Sequence, residues 1–283
     1  MPYRIVISGA GGMVGRYLAA QARRQGRDVL ALTSAEWDIT DPAAAERFIA
    51  SGDIVINCAA YTKVDAAEED EQRAFAVNAA GPENVAHACA RAGADLIHIS
   101  TDYVFSGAQR TPYEIDDETG PLSAYGRTKL AGELSVLAAM PDAHIVRSAW
   151  VYEGADGSDF VAVMRRLAAG DGPVEVVVDQ VGSPTYVGDL VDALLQIADD
   201  GSIREPVLHA ANEGAVSRFD QARAVFEAVA ADPERVRPVG TEAHPRPAPR
   251  PACSALSSRK SAEAGLTPLR PWRDALTAAL LAR

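Results

Sequence analysis

An apolar triplet, Ile5, Val6 and Ile7, runs directly into Ser8, Gly9, Ala10, Gly11, Gly12, Met13, Val14 and Gly15, and a helical pattern through Leu18, Ala22 and Gln25 follows. Few arrangements constrain a chain more. Gly9, Gly12 and Gly15 stand at G-x-x-G-x-x-G spacing. After a buried strand and before a helix, that spacing lets the backbone approach a pyrophosphate while free N–H groups and the positive end of the helix dipole face it. A glycine cluster alone is often only a turn, so its context decides. Further strands read over 28–33, 53–57, 96–99 and 143–148, and helices over 43–50, 71–92 and 125–139 lie between them. Asp41 caps the first of these helices ahead of Pro42. Asp70 caps the second, which Asn78 and Gly81-Pro82 interrupt, so a kink is expected there. The alternation predicts an α/β fold, a Rossmann-type doubly wound parallel sheet with a smaller C-terminal lobe.

A dinucleotide-binding domain over 1–150 and a mainly substrate-binding lobe over 151–283, some segments of which return to the sheet, fit this pattern. In the second half, helices read over 160–169, 187–198, 219–230 and 272–281, with strands over 174–178 and 207–211. Pro245, Pro247, Pro249 and Pro251 enforce an extended segment, read as a rigid loop over a partner-binding PxxP site. The acids Glu114, Asp116, Asp117 and Glu118 read as a solvated face.

The chemistry gathers between Ser100 and Glu133. Tyr125 and Lys129 on one helix share a face, which brings a phenol and an ammonium into one site. A nearby positive charge favours the ionised phenol, and such a tyrosine can exchange a proton with a carbonyl or alcohol. The chain has three lysines, Lys63, Lys129 and Lys260, against 24 arginines. A lysine where arginine is the habit points to the particular chemistry of an ammonium. Thr101 follows the run 96–99, so its hydroxyl is expected at the carboxyl end of a parallel strand, where ligands of α/β sheets bind. Trp150 ends the next strand at the same edge, and Ala59, Ala60 and Tyr61, after the third, leave room for a cofactor. Thr33 and Ser34 stand where NAD-specific folds often hold an acid, so nothing there is expected to repel a 2′-phosphate. Asp38 reads equally as an adenosine contact or as a turn residue.

A net charge of −12 argues against nucleic acid or an anionic membrane as partner, and an anionic ligand then needs a local positive site. Arg246 and Arg250, in the proline-stiffened loop, are the candidates. Cys58, Cys89 and Cys253 form no C-x-x-C pair, which points to neither a disulfide framework nor a zinc site, and to a cytoplasmic setting. No export signal or membrane-length apolar run is read.

Taken in order, these residues resemble the extended short-chain dehydrogenases, on their branch of dTDP-4-keto-deoxysugar reductases. The resemblance rests on Gly9 to Gly15, Trp37-Asp38-Ile39-Thr40, N-C-A-A-Y-T-K-V-D from Asn57 and S-T-D-Y-V-F-S-G from Ser100. It continues in Pro112-Tyr113-Glu114, P-L-S-A-Y-G-R-T-K-L-A-G-E from Pro121, Arg147 to Tyr152 and Gln180 to Thr185. It implies Thr101, Tyr125 and Lys129 as catalytic residues. Gly12, Met13 and Val14 would lie under the pyrophosphate, Asp38 and Ile39 near the adenosine, and Ala59, Ala60 and Tyr61 along the cofactor. Thr101, Asp102 and Trp150 match positions that hold the sugar nucleotide, and Arg250 follows the family pattern.

The implied reaction is reduction by NADPH or NADH, with a lean to NADPH, of the C4 keto group of dTDP-4-dehydro-6-deoxy-L-mannose. Tyr125 would donate the proton, Thr101 would hydrogen-bond the forming alkoxide, Lys129 would tune Tyr125 and reach the nicotinamide ribose, and no metal is needed. Two departures stand out. Cys253 and Ser257 replace the usual asparagine and aspartate of R-P-x-N-S-x-L-D, and Arg16-Tyr17 replaces an acid that bridges some relatives through magnesium. A monomer or weak homodimer is therefore expected. Two rival readings remain: another short-chain nucleotide-sugar epimerase or dehydratase, and a non-catalytic NADP-binding regulatory subunit resembling the beta subunit of methionine adenosyltransferase. Asp102-Tyr103 does not supply the Asp-Glu pair of a dehydratase, and an intact Thr101, Tyr125 and Lys129 favours an enzyme.

Overall fold

Six short strands form one parallel sheet: β1 (Ile5–Ser8), β2 (Val29–Leu32), β3 (Ile54–Asn57), β4 (Asp95–Thr101), β5 (His144–Ser148) and β6 (Val207–His209), in the spatial order β6-β5-β4-β3-β1-β2. The structure is a computed structural model that describes residues 3–154 and 157–281. Met1 and Pro2, at the head of the segment read for an export signal, lie outside the described residues. Because strand side chains alternate between faces, each strand feeds two cores. Ile5, Ile7, Ile54, Ile56 and Ile97 pack under α1 (Met13–Arg24) and α4 (Val187–Asp199). Val6, Val55, Leu96 and Ile145 pack under α2 (Gly81–Ala92) and α3 (Ala124–Ala139). Burial on both faces explains why these strands read as continuous apolar runs. The fold is the expected Rossmann-like α/β architecture.

The order reverses between β1 and β3, and the carboxyl ends of β1, β3, β4 and β5 open on one crevice, where ligands of such sheets bind. β6, from the second half of the chain, pairs in parallel with β5. A separate core of Tyr152, Val161, Met164, Val225, Phe226, Trp272 and Leu276 joins the helices Phe160–Ala168, Arg218–Ala228 and Trp272–Leu281.

Two local readings are corrected, and a third, the interrupted helix over 71–92, is borne out. In place of a helix over 43–50 there is only a 3₁₀ turn, Ala45–Arg47, although Asp41 accepts from the Ala43 N–H (3.0 Å). Ala44, Ala45 and Ile49 are all core, and burying them wins over the propensity of so short a segment. The stretch 71–92 is split into Glu71–Phe75, a π-type stretch Ala76–Ala80 and α2. There the Asn78 side chain accepts from Tyr61 N (2.8 Å) and donates to Tyr61 O (3.1 Å) and to Thr128 Oγ1 (3.1 Å). Of the acids read as a solvated face, Asp116 and Glu118 are exposed, but Glu114 and Asp116 also clip the C-terminal segment, and Asp117 accepts from Glu114 N (2.8 Å). Glu114 accepts from Ser257 (2.9 Å) and Arg259 (3.0 Å), and Asp116 pairs with Lys260.

Candidate active site

The turn after β1 fits a pyrophosphate for reasons of space. Gly9 has φ +67°, and a Cβ there would lie 2.5 Å from Ala59 N; a Cβ on Gly15 would lie 2.5 Å from Gly9 O. These two glycines therefore close the turn, whereas exposed Gly12 presents its free side to the crevice. Gly12 is also the N-cap of α1 and offers no side chain to the first-turn N–H groups, which leaves them for a ligand. Gly12, Met13, Val14, Cys58, Ala60, Thr62, Ser100, Thr101, Asp102, Tyr125, Lys129, Ser148 and Trp150 line one cavity of about 540 Å³. Ser100 Oγ and Ser148 Oγ are buried there without a partner, a cost of about 1–3 kcal/mol each that a polar ligand group would remove. Neither serine stood out in the sequence, because an isolated serine near a strand end carries no signal.

Thr101, Tyr125 and Lys129 thus meet in one crevice, from the end of β4 and the first turns of α3. Ser123 caps that helix by accepting from Gly126 N (3.1 Å). Tyr125 packs edge-on against Tyr103, ring centroids 5.7 Å apart. Its hydroxyl is pushed well above the ordinary tyrosine range, first by burial and further by Asp102 and Tyr103, with the Thr101 hydroxyl pulling the other way. Lys129 Nζ donates to Ile99 O (2.6 Å) and lies 3.3 Å from His98 Nε2, and burial brings its pKa down to about 8.

Thr101 Oγ1 accepts from Tyr103 N (3.2 Å) and donates to Asp102 Oδ1 (3.0 Å), while Ser254 Oγ donates to Asp102 Oδ2 (2.5 Å). Asp102 is 2% exposed, and burial raises its pKa to about 6 against those hydrogen bonds and the pull of Arg218. In this arrangement the Thr101 O–H points at Asp102, and rotation about Cβ–Oγ re-aims it at a reacting oxygen.

Trp150 is one of two non-glycine residues with positive φ (48°) among the described residues, a strained backbone of the kind held at functional sites. Its indole lies so close to Gly182 that a Cβ there would come within 2.3 Å of the ring. The Arg218 guanidinium lies 3.4 Å from the indole centroid, so one face of Trp150 carries a cation. Arg218, Arg246, Arg250, His244 and Tyr103 line an adjoining cavity of about 440 Å³, and Ser158 borders both cavities. Arg250 is not a free cation. It forks onto Asp65, with Nη2 2.8 Å from Oδ2, while Arg246 lies 3.5 Å from the same carboxylate. That pairing pulls the Asp65 pKa down to about 2. Arg218 was missed because only the fold brings the start of its helix beside β4 and Trp150.

At the adenosine end the structure bears on three readings. Asp38 is a turn residue, its Oδ1 accepting from Thr40 N (3.0 Å) and Thr40 Oγ1 (2.8 Å). Ile39 is 4% exposed in the core, so its side chain is not a cofactor contact. Nor is the end of β2 free of acid: the Glu36 carboxylate folds back to accept from Thr33 N and Thr33 Oγ1, both at 2.8 Å. Thr33 borders the glycine turn, its Cγ2 3.8 Å from the Cβ position of Gly11. Ala59 packs against Gly9, Ala60 faces the cavity, and Tyr61 is held through its backbone by Asn78.

The family model "RmlD substrate binding domain" matches residues 3–282. The chain belongs to this family. Among relatives, a dTDP-4-dehydrorhamnose reductase of Mycolicibacterium smegmatis is 69% identical over 283 residues, covering 100% of this chain and 86% of that protein. A solved dTDP-4-dehydrorhamnose reductase of Clostridium acetobutylicum superposes with a TM-score of 0.92 at 38% identity, covering 98% of each chain. One from Bacillus anthracis, solved in complex with NADP, gives a TM-score of 0.92 at 33% identity over all of both chains. The family membership and these relatives make the chain an NAD(P)H-dependent oxidoreductase. In the position after Gly15, Arg16 lies 3.5 Å from Glu153.

Proposed function

We propose that this chain uses NADPH, and less readily NADH, to reduce the C4 keto group of dTDP-4-dehydro-6-deoxy-L-mannose, giving dTDP-L-rhamnose. The observation that carries the reading is one cavity that holds the glycine turn, Thr101, Tyr125 and Lys129 and adjoins an arginine-lined cavity suited to a diphosphate. The names of the Mycolicibacterium and Clostridium relatives and the NADP of the Bacillus structure support it.

Gly12, Met13 and Val14 hold the pyrophosphate on the N-terminus of α1, Ala60 and Cys58 border the path beyond it, and Lys129 reaches the nicotinamide ribose. When bound, the reduced nicotinamide supplies the hydride. Tyr125, whose buried phenol keeps its proton at neutral pH, donates that proton to the C4 oxygen. Thr101 hydrogen-bonds the same oxygen, an interaction stronger once negative charge builds there. Arg218, Arg246 and Arg250 take the diphosphate, and Trp150 borders the deoxysugar beside Asp102. Arg16, paired with Glu153, supplies no acid for a metal-bridged dimer, which supports a monomer or weak homodimer. Among the described residues no helix is long and apolar enough to cross a membrane, and the free Cys58, Cys89 and Cys253 fit a reducing cytoplasm.

The test is NAD(P)H oxidation with dTDP-4-dehydrorhamnose. Protein that binds NADPH yet turns over none of this substrate with either cofactor would defeat the assignment. Cofactor choice gives a second prediction. Removing the carboxylate beside Thr33 in Glu36→Ala is expected to tighten NADPH binding roughly two- to fivefold, the scale of an exposed charge interaction, with NADH little changed. Fluorescence titration of both cofactors checks it, and an unchanged ratio would place Glu36 out of reach of the 2′-phosphate.

A further inference from the structure

Asp102 is buried beside the catalytic crevice and held by two hydroxyls from distant parts of the chain. Thr101 Oγ1 donates to its Oδ1 (3.0 Å) and Ser254 Oγ donates to its Oδ2 (2.5 Å). Asp102 is 2% exposed and Ser254 1%. Arg218 attracts the carboxylate without a hydrogen bond to it, so these two hydroxyls are its side-chain donors among the described residues. A carboxylate out of water depends on such donors.

Ser254 is itself fixed from both sides. The segment 251–257 runs between the loop that follows β4 and residues 181–183. On one side Val181 N donates to Ala252 O (2.8 Å) and Ser254 N donates to Val181 O (2.8 Å). On the other, Cys253 N donates to Gly107 O (3.3 Å) and Tyr113 N donates to Ala255 O (2.7 Å). Gly107, at φ +75°, lies so near that a Cβ there would come within 2.4 Å of Pro251. Backbone on both flanks thus sets the place of the Ser254 hydroxyl, and that hydroxyl sets the place of the Asp102 carboxylate. Ser254 lines neither cavity.

Thr101 has one hydroxyl proton and two uses for it. At rest the proton points at Asp102, and in the reaction read above it points at the C4 oxygen. Turning it takes one donor from a buried carboxylate, a costly change unless the other donor stays. We propose that Ser254 is a positioning residue: it anchors the Asp102 carboxylate so that Thr101 is free to turn its proton to the substrate oxygen. This role rests on the reductase reading.

A pH signature follows. Without Ser254 an ionised Asp102 retains the Thr101 proton, and turnover falls. A protonated Asp102 asks for no donor, so the loss fades as pH drops through its titration. Burial raises the Asp102 pKa to about 6 with Ser254 in place, and removing a donor to the charged form raises it further. Of the groups that face Asp102, Tyr103 and Tyr125 are both raised by burial and stay neutral, while Arg218, brought down to about 10 by burial, stays charged. Arg250 beyond them is paired with Asp65, and Asp159, across the cavity, accepts from Ala162 N (3.0 Å). Lys129, at about 8, titrates in wild type and variant alike and cancels in their ratio.

The experiment compares Ser254→Ala with wild type, each saturated with NADPH and dTDP-4-dehydrorhamnose. On the scale of one hydrogen bond to a charged group, kcat is expected to fall about tenfold or more at about pH 8 and to lie within about threefold of wild type at about pH 5. In protein free of ligand and labelled with ¹³C in aspartate, with Asp102 assigned by Asp102→Asn, the same substitution is expected to raise the Asp102 midpoint by about one unit or more. With Asp102→Asn already in place there is no charge to anchor, and adding Ser254→Ala is expected to change kcat by less than about threefold. Ser254→Cys, close in size and a weaker donor, is expected to fall between and stands in should the alanine variant not fold. A rate ratio that is the same at every pH, or an Asp102 midpoint that does not move, overturns the proposal. Wild-type protein that leaves the keto sugar unreduced defeats the reductase reading instead, and the NMR titration still decides whether Ser254 anchors Asp102.

Discussion

Replacement of Tyr125 by Phe is expected to lower kcat by about 10²-fold or more while NADPH affinity stays within a few-fold of wild type. The geometry separates the two effects. The edge-to-face contact with Tyr103, at 5.7 Å, involves the ring and survives the change, so the start of α3 and the cavity wall keep their shape. What is lost is the hydroxyl beside Thr101, which burial keeps protonated at neutral pH. Without it, charge building on the substrate oxygen has the Thr101 hydroxyl and water to rely on. Rapid mixing of NADPH-loaded protein with the keto sugar reads the chemical step directly, and a titration of cofactor fluorescence reads binding. Turnover within a few-fold of wild type would remove Tyr125 as donor and direct attention to Asp102, whose pKa near 6 makes it the next acid in the crevice.

The glycine turn, the doubly wound order and the meeting of Thr101, Tyr125 and Lys129 were legible because each depends on local spacing: strand before turn, turn before helix, one helical turn between phenol and amine. What was not legible depends on partners far apart in sequence. Asn57, His98 and Lys129 share one network only because β3 and β4 are neighbours in the sheet and α3 crosses β4. The sequence therefore paired Lys129 with Tyr125, on its own helix, when its hydrogen bonds go to β4. Arg218 reaches Trp150 through a helix that begins 68 positions later. Glu36 is three residues from Thr33, close enough to have been seen, but it lies in a turn whose conformation no periodicity describes. The helix expected over 43–50 failed for a related reason: its alanines favour a helix locally, and the core needs Ala44, Ala45 and Ile49 in another arrangement.

Glu133→Ala is expected to destabilise the fold by about 3–5 kcal/mol, the usual cost of leaving one partner of a buried ion pair alone. Arg147, on β5, donates through Nε to Glu133 Oε1 (3.0 Å) and through Nη2 to Oε2 (2.7 Å), and the two side chains are 6% and 3% exposed. The guanidinium also donates through Nη1 to Ile115 O (3.1 Å) and lies 5.0 Å from the Phe105 ring centroid, so it cannot swing into water once its carboxylate is gone. Two opposed charges hold α3 against the sheet one turn beyond Lys129; in the variant the same place holds an unpaired cation and a cavity. The mechanism is electrostatic, so replacing both partners is expected to cost much less than replacing one: Glu133→Leu with Arg147→Met should recover most of the loss. Urea unfolding of the single and double variants gives the comparison, with a lower midpoint and an unchanged slope expected for Glu133→Ala. If the double variant is as unstable as the single one, the pair is needed for shape at this joint rather than for charge balance.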